Sequence, residues 1–559
     1  MKKIIVILFT IFTTVVLGFI NIQNVSYDKI VFEGFGNCVD MSTSQKVNEV
    51  IEEENVEELK LIIVGKTDFK FDIGIKENLT DAEAEKIQEM RRNAGASYYK
   101  EFNQKLFESL PEYNYKNVYI SKYFPQVVLD VESSSVMSRN STLLYELSKN
   151  ELIETVFVQN NQEVVNSLNY AFGYLGVYDE VNTGTLTGNG VKVGMVEGGI
   201  LDEDNVNFSD ITVEARDAWY FIETVSDHTT TMASCIGGRE GVARRASIYS
   251  VQGAGNPSSE LDWLIDKGVN VINCSYGYST ANGEYSSHSA SYDYVVWTYG
   301  ISVIAASGNE NSGETDYYIF NPGLAYNAIT VGGAYTATLP WNGTCYEEVT
   351  NVDKPTLIAP AYQIHTTNAN PSGSGTSYST ALTTGCAALL MEYCPDLKVY
   401  PAKLTALLSA CAYPTAGYFD LVSGLDDEVG CGLVDFEESK DSINNCIVGA
   451  SSATDQADDY IIEQDVYFEK DNLLQIAVAW NGKSGDSVSS WQLNNYVLCL
   501  FRPAGAQIVA KYSLYNNVLF ITYETQYTGN YKIMLIQEGD LVYTDTTPIF
   551  IYYSVRPLE

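Results

Sequence analysis

The chain has 559 residues, 71 of them acidic and 33 basic, for a formal net charge of -38 at pH 7. That imbalance argues against nucleic acid or an anionic lipid surface as the main partner and fits a highly soluble protein. Hydrophobic residues make up 45% of the chain, ample for burial, and the length is that of roughly three or four domains rather than one core.

Met1, Lys2 and Lys3 precede an apolar run over residues 4–20. A basic head on a short apolar stretch reads as a signal peptide, residues 1–21, with cleavage after Gly18. An uncleaved membrane anchor is the competing reading, because the run is nearly long enough to span a bilayer and lacks an Ala-x-Ala site. Residues 26–165 read as an α+β unit: a strand at 59–64, a long helix from Asp81 to about residue 110, strands at 118–120 and 126–131, a short helix at 141–147 and a last strand at 153–158. Strand, helix, strand, strand, helix, strand is the split βαβ, ferredoxin-like order.

The texture then changes. Between 166 and 445, runs at 191–196, 247–251, 269–273, 301–306 and 328–331 are short and rich in valine and isoleucine. Strands buried on both faces look like this, so the segment predicts an α/β, doubly wound, mostly parallel sheet, whose functional groups gather beyond the carboxyl ends of the strands. In 447–559 the pattern alternates: Leu474, Ile476, Val478 and Trp480 share one strand face, further strands follow at 496–501, 517–523 and 530–536, and Pro503, Gly505 and Gly529 mark turns. This predicts an all-β jelly roll or sandwich. The ten cysteines form no C-x-x-C pair and the chain has only three histidines. A zinc site is therefore disfavoured, and the cysteines read as buried thiols rather than a disulfide framework.

Four side chains stand where a parallel sheet presents chemistry. Glu197, followed by Gly198 and Gly199, ends the first strand; Asn309 follows Ser307 and Gly308 after the fourth. His228 opens a helix of small residues, and Ser377 sits where the glycine-rich turn 372–375 becomes another. These are the parts of an acyl-transfer site. Ser377 would attack a carbonyl, His228 would take its proton, Glu197 would orient the imidazole, and Asn309 with the Ser377 N–H would hold the oxyanion. Singly, each has a dull reading as a turn, cap or surface residue; four in one sheet-based domain do not.

Residues 185–440 resemble the subtilisin-like serine peptidases. The family's V-x-V-x-V-I-D-x-G strand is similar to 191–199 with Glu197 in the Asp place, and H-G-T-x-V-A to 228–233 with Thr229 for glycine. V-I-N-x-S-x-G is similar to 271–277, A-A-G-N to 305–309, and G-T-S-M-A-x-P to 375–381 with Ala381 for proline. The resemblance implies an exported, secreted or cell-surface endopeptidase acting on proteins or peptides, with Glu197, His228, Ser377 and Asn309 catalytic. Ser275, Tyr276 and Gly277 would line the substrate cleft. It also implies that 26–165 is a propeptide that inhibits its own enzyme and is cleaved off within about 159–175, and that 447–559 is an accessory domain. Asp202, Asp204 and Asp227 are substitutes for the longer Glu197 as partner of the histidine. The rival readings are a degenerate, non-catalytic binding or scaffolding protein and a serine acyl-transferase or peptide ligase. Calcium would fit an acidic exported member, but no D-x-D-x-D-G loop is visible, so the metal is left open and no metal ligand or cofactor is assigned. A membrane is a partner only if the apolar N-terminal run stays attached.

Overall fold

The computed structural model describes residues 30–33, 58–67, 69, 76–132, 142–159, 172–216, 225–253, 257–278, 283–309, 318–336, 339–346, 352–364, 366, 373–415, 425–451, 459–483, 493–513, 515–543 and 547–558. The predicted signal peptide and most of the predicted processing segment lie outside these residues. The chain divides into two compact units.

The first unit comprises Met1–Thr67, Phe102–Ile120 and Pro125–Asn161. It holds β1 (Ile30–Glu33), β2 (Glu58–Gly65), β3 (Lys116–Ile120), β4 (Gln126–Glu132) and β5 (Ile153–Gln159), the last turns of α1 (Asp81–Glu108), and α2 (Thr142–Lys149). The sheet order is β1-β5-β2-β4-β3. Within it β2 runs antiparallel to both β4 and β5, and β3 antiparallel to β4. Leu61 and Ile63 of β2 and Val127, Leu129 and Val131 of β4 fall two apart, so they reach one face and bury there with Leu143 and Leu147, one turn apart on α2. The chain pattern did not reveal β1, a four-residue strand that pairs parallel with β5; so short a run carries no period.

The second unit includes Asp68–Glu101 and Ser121–Phe124, stretches that the sequence assigned with their neighbours to the N-terminal segment. Their polar contacts account for this. Gln88 Nε2 donates to the carbonyls of Gly300 and Lys398 at 2.9 and 2.7 Å. The Asp262 carboxylate accepts from Ser121 Oγ and from the N–H groups of Lys122 and Tyr123.

The main sheet of this unit consists of β6 (Lys192–Glu197), β7 (Val213–Arg216), β8 (Ser247–Gln252), β9 (Val271–Cys274), β10 (Ser302–Ala306), β11 (Ile329–Thr336), β12 (Leu339–Pro340) and β13 (Leu357–Pro360). Their order is β12-β11-β10-β9-β6-β8-β7, with β13 also on β11. Only the β11–β12 pairing is antiparallel. Helices α3 (Tyr178–Thr183), α4 (Asp227–Ile236), α5 (Pro257–Lys267), α6 (Ser287–Tyr299), α7 (Thr376–Tyr393), α8 (Pro401–Cys411) and α9 (Phe436–Asp441) accompany it.

Strand parity divides the core. Val193 and Met195 of β6, Val271 of β9 and Ile304 of β10 pack with Met232 and Ile236 of α4 and Leu382 and Leu389 of α7. Val196, Ile272, Cys274, Val303 and Ala305 pack on the other face with Leu261 and Leu264 of α5 and Val295 and Tyr299 of α6. Helices on both faces of a parallel sheet make it doubly wound. The edge strand β7, Val-Glu-Ala-Arg, was invisible to a search for apolar runs because all four residues are only half-buried.

A short pair, β14 (Tyr362–Ile364) and β15 (Gly373–Ser374), leads the chain into α7. After α9 come β16 (Cys446–Ser451), β17 (Tyr460–Phe468), β18 (Asn472–Trp480), β19 (Asn495–Phe501), β20 (Gln507–Tyr512), β21 (Val518–Glu524), β22 (Gly529–Glu538) and β23 (Thr547–Pro557). They form two four-stranded sheets, β16-β23-β18-β21 and β17-β22-β19-β20. Leu474, Ile476, Val478 and Trp480 point into the cluster between the sheets, against Tyr496, Leu498, Tyr531 and Ile533. The alternate residues Ala477 and Ala479, with Phe520 and Phe550, join the cluster that contains Leu404 and Leu407 of α8. Arg556 fastens the same junction, donating to the Ala412 and Cys411 carbonyls at the end of α8 and to Asp435. That is the charge a helix C-terminus favours.

Candidate active site

β6 is flanked by β9 on one side and β8 on the other, so the chain reverses its direction across the sheet there and leaves a crevice beyond the carboxyl ends of β6 and β9. Glu197 is the last residue of β6 and has the parity of Val193 and Met195, so it projects toward α4 and α7; Asn273 and Ser275 have the parity of Val271 and do the same.

The Glu197 carboxylate is fully buried. Its Oε1 accepts from Asn273 Nδ2 at 2.8 Å and from the Ser275 N–H at 3.2 Å. Its Oε2 makes no hydrogen bond and lies 3.6 Å from His228 Nδ1. The extra methylene of glutamate is thus accommodated by anchoring one oxygen and leaving the other facing the imidazole. Asp227, adjacent to the histidine, and Asp204 are exposed, and Asp202 is half-buried; Glu197 is the carboxylate paired with His228.

His228 lies in the first turn of α4, whose N-cap Ser226 accepts the Thr229 N–H. Loop and helix are drawn close together: a Cβ on Gly199 would meet Ser226 Cβ at 2.4 Å, and the Thr229 hydroxyl donates to the Gly199 carbonyl at 3.0 Å. Thr229 therefore ties the histidine's helix to the loop that follows the carboxylate. Neither imidazole nitrogen makes a hydrogen bond.

Ser377 is in the first turn of α7, nearly buried at 2% exposure. Its Oγ donates to the Ser275 carbonyl at 3.0 Å, while Ser275 Oγ donates back to the Ser377 carbonyl at 2.9 Å. One residue, Ser275, thus touches both Glu197 and Ser377. As α7 begins at Thr376, the Ser377 N–H has no carbonyl within the helix to bond and sits at the positive end of its dipole. Asn309 faces this end. Its Oδ1 accepts from the Thr376 N–H at 2.9 Å and from Thr376 Oγ1 at 3.1 Å, so its Nδ2 must point the other way, as a free donor.

Burial dominates the electrostatics. It pushes the Glu197 carboxyl well above the usual carboxylate range against the opposing pull of hydrogen bonds from Ser275 and Asn273, and pushes His228 down to about 3. The imidazole is neutral at pH 7, the state a proton acceptor needs.

Of the cleft residues, Ser275 and Tyr276 have buried side chains, and the Tyr276 hydroxyl meets Tyr292 at 2.9 Å. Only their backbone, with half-buried Gly277, can face a substrate. Sequence reasoning passed over Asn273, Thr376, Thr384 and Thr229 as participants. Asn273 was within reach, two residues before Ser275 on one strand face; Thr384, which donates to Asn273 Oδ1 at 3.1 Å, gave no signal before the helix was packed. The nine described cysteines are free thiols. Among the described residues no group of three or more His, Cys, Asp and Glu could hold a metal ion, and no helix is long and apolar enough to cross a membrane.

Fold and site together define a doubly wound α/β protein carrying a serine, a histidine and a carboxylate around one crevice. The chain belongs to the subtilase family, whose model matches residues 78–432. It is 30% identical over 258 residues to an extracellular serine proteinase of Thermus sp. (strain Rt41A), an alignment covering 42% of this chain and 57% of that one. It is 26% identical over 294 residues to the serine protease AprX of Bacillus subtilis (strain 168), covering 42% and 65% respectively. The chain thus spans less than two thirds of either relative's length. Among solved structures, fervidolysin from Fervidobacterium pennivorans, a keratinolytic enzyme related to subtilisin, aligns at 14% identity over 95% of this chain and 79% of that one, with a TM-score of 0.48.

Proposed function

We propose that this chain is an exported serine endopeptidase made as a self-processing precursor. Ser377 is the nucleophile, His228 its base, Glu197 the group that orients and stabilises the imidazole, and Asn309 with the Ser377 N–H the oxyanion hole. The observation that carries this reading is the shared anchoring of these groups: Ser275 bonds Glu197 and Ser377 at once, and Thr376, next to the nucleophile, fixes the Asn309 amide. Substrates are proteins or peptides held along the backbone of 275–277. Residues 1–21 are the signal peptide, 26–165 a ferredoxin-like propeptide that acts as intramolecular inhibitor, 166–445 the catalytic domain, and 447–559 a jelly-roll accessory domain. The extracellular character of the Thermus relative agrees with export.

One observation favours a second reading, a catalytically silent binding protein: the Ser377 hydroxyl is turned to the Ser275 carbonyl and not to His228, and His228 lies 3.6 Å from Glu197. Substrate-free sites often have such loose contacts, which tighten on binding. The deciding experiment is fluorophosphonate labelling of the full-length protein and Ser377→Ala, with N-terminal sequencing of every band. An adduct on Ser377 and a new N-terminus within about 159–175, both absent from the variant, are expected. Absence of labelling and processing at every pH, with or without calcium, selects the binding protein.

The oxyanion assignment has its own test. Asn309→Asp keeps the acceptor for Thr376 but replaces the free donor with an oxygen. We expect kcat to fall by about 10²- to 10³-fold with KM little changed; unaltered kcat would remove Asn309 from the mechanism.

A further inference from the structure

Thr380 and Thr383 of α7 each donate to the carbonyl four residues back, Thr376 and Ser379, at 2.7 Å. That is the ordinary habit of a helical threonine. Thr384 has a second acceptor, outside the helix: its Oγ1 lies 2.9 Å from the Thr380 carbonyl and 3.1 Å from Asn273 Oδ1 on β9. A hydroxyl has one proton to donate, and within the helix the Thr380 carbonyl already receives the backbone N–H of Thr384. The Asn273 oxygen is therefore the acceptor that the hydroxyl serves.

The direction of the bonds is forced from the other end. Ser275 Oγ donates its one proton to the Ser377 carbonyl at 2.9 Å, so it must accept from Asn273 Nδ2, 2.8 Å away. The second Nδ2 proton goes to Glu197 Oε1, also at 2.8 Å. With its nitrogen committed to Ser275 and Glu197, the Asn273 amide presents its oxygen to Thr384. Turned over, it would set that oxygen against the carboxylate. Asn273, Ser275, Thr384 and Glu197 are all buried, so water does not stand in for a missing partner. Ser377, Thr380 and Thr384 fall at i, i+3 and i+7, on one face of α7. The bonds thus close a circuit, from Thr384 to Asn273 and Ser275 on the sheet and back to α7 at Ser377, two turns away.

We infer that Thr384 is a positioning residue for Glu197: by holding the Asn273 oxygen it keeps the amide nitrogen on one carboxylate oxygen and leaves the other to His228. This role rests on the peptidase reading above. Thr384 touches neither the carboxylate nor a substrate and acts through Asn273. The bond from Asn273 is one of those that oppose the effect of burial on the Glu197 carboxyl, so loosening it disfavours the ionised form. The titratable groups near the carboxylate are His228 on α4 and Cys274 on β9, whose thiol burial keeps protonated.

The test compares Thr384→Val, which keeps the shape and loses the donor, with Thr384→Ser, which restores it, in the wild-type and Glu197→Gln backgrounds. Every chain is expressed at full length and processed in trans to the same N-terminus, and fluorophosphonate labelling of Ser377 counts competent sites. Thr384→Val is expected to lower kcat about 10-fold with KM little changed, and to move the acid limb of kcat/KM to higher pH. Thr384→Ser is expected to recover both. In Glu197→Gln, which has no carboxylate to ionise, valine is expected to leave the limb where it is. An unmoved limb in the wild-type background, an equal shift in Glu197→Gln, or a loss that serine does not rescue makes Thr384 an ordinary back-bonded helix residue. Each overturns the inference while labelling of the wild type leaves the peptidase reading intact. Thr384→Ala is read in the same way if valine prevents folding. A wild type that neither labels nor cleaves overturns both.

Discussion

Ser377→Ala and His228→Ala are each expected to lower kcat by on the order of 10⁶-fold, and the double variant by no more than either single one. In the proposed mechanism nucleophile and base act as one unit: without His228 the Ser377 hydroxyl would keep its proton, and without Ser377 the neutral imidazole would have nothing to deprotonate. Both groups are nearly buried, His228 at 8% and Ser377 at 2% exposure, so water replaces neither in place. Progress curves on wild type and variants brought to the same N-terminus, with the N-terminal segment cleaved in trans and removed from each, make the measurement. Losses that multiply in the double variant would show that the two residues contribute independently, contrary to the mechanism.

Glu197→Gln is expected to reduce kcat by about 10⁴-fold while raising thermal stability at alkaline pH. The amide oxygen can keep the hydrogen bonds from Asn273 and Ser275, but the NH₂ then faces His228 Nδ1 and donates to it. That forces the proton onto Nε2, the nitrogen that must accept from Ser377. Stability moves the opposite way because the wild-type carboxyl is buried with its pKa raised well above 4.5. A raised carboxyl contributes stability fully below its unfolded value and loses it as pH rises through its folded value. Glutamine has no charge to bury, so a Tm gain of about 2–4 °C is expected near pH 8 and none near pH 4. His228, lowered from 6.5 to about 3, has the other sign: its contribution is full above about pH 6.5 and is lost as the pH falls toward 3 in both proteins. The residual activity of the variant should also keep its acid limb at lower pH than wild type, because ionisation of the carboxyl no longer gates the productive tautomer. A variant with undiminished kcat, or with lower Tm at pH 8, would refute the orienting role or the burial argument respectively.

Such a trade of stability for function is common where a site holds a buried charge. Here it is confined to one carboxylate, because Ser275, Asn273 and Thr384 form a neutral, mutually bonded chain from Glu197 into α7. Ser275 is the centre of that chain. It is reached through a backbone N–H, a backbone carbonyl and a hydroxyl, and a substitution there would disturb carboxylate and nucleophile together.

The sequence by itself made the buried strands β6, β8, β9 and β10 legible and set Glu197, His228, Asn309 and Ser377 at strand ends or helix starts, while β13 escaped it and β11 runs five residues beyond its predicted end. Hydrophobic runs and small-residue helices are local patterns, and parallel sheets present chemistry at strand ends as a rule. It also gave the alternation Leu474, Ile476, Val478 and Trp480, because a strand's period of two survives in any context. Only the tertiary structure decided the rest. Short or half-exposed strands such as β1 and β7 exist through pairing with neighbours distant in sequence, and carry no period of their own. The second face of β18 reads as bland alanine until α8 lies on it. Thr376, Thr384 and Thr229 are ordinary threonines in the chain, and become anchors only when the packing of α7 and α4 on the sheet brings Asn309, Asn273 and Gly199 within hydrogen-bond reach. Thr384 and Asn273 meet across 111 residues of chain, and Thr376 and Asn309 across 67. Contact over such separations depends on which strands become neighbours, and no local pattern encodes that order.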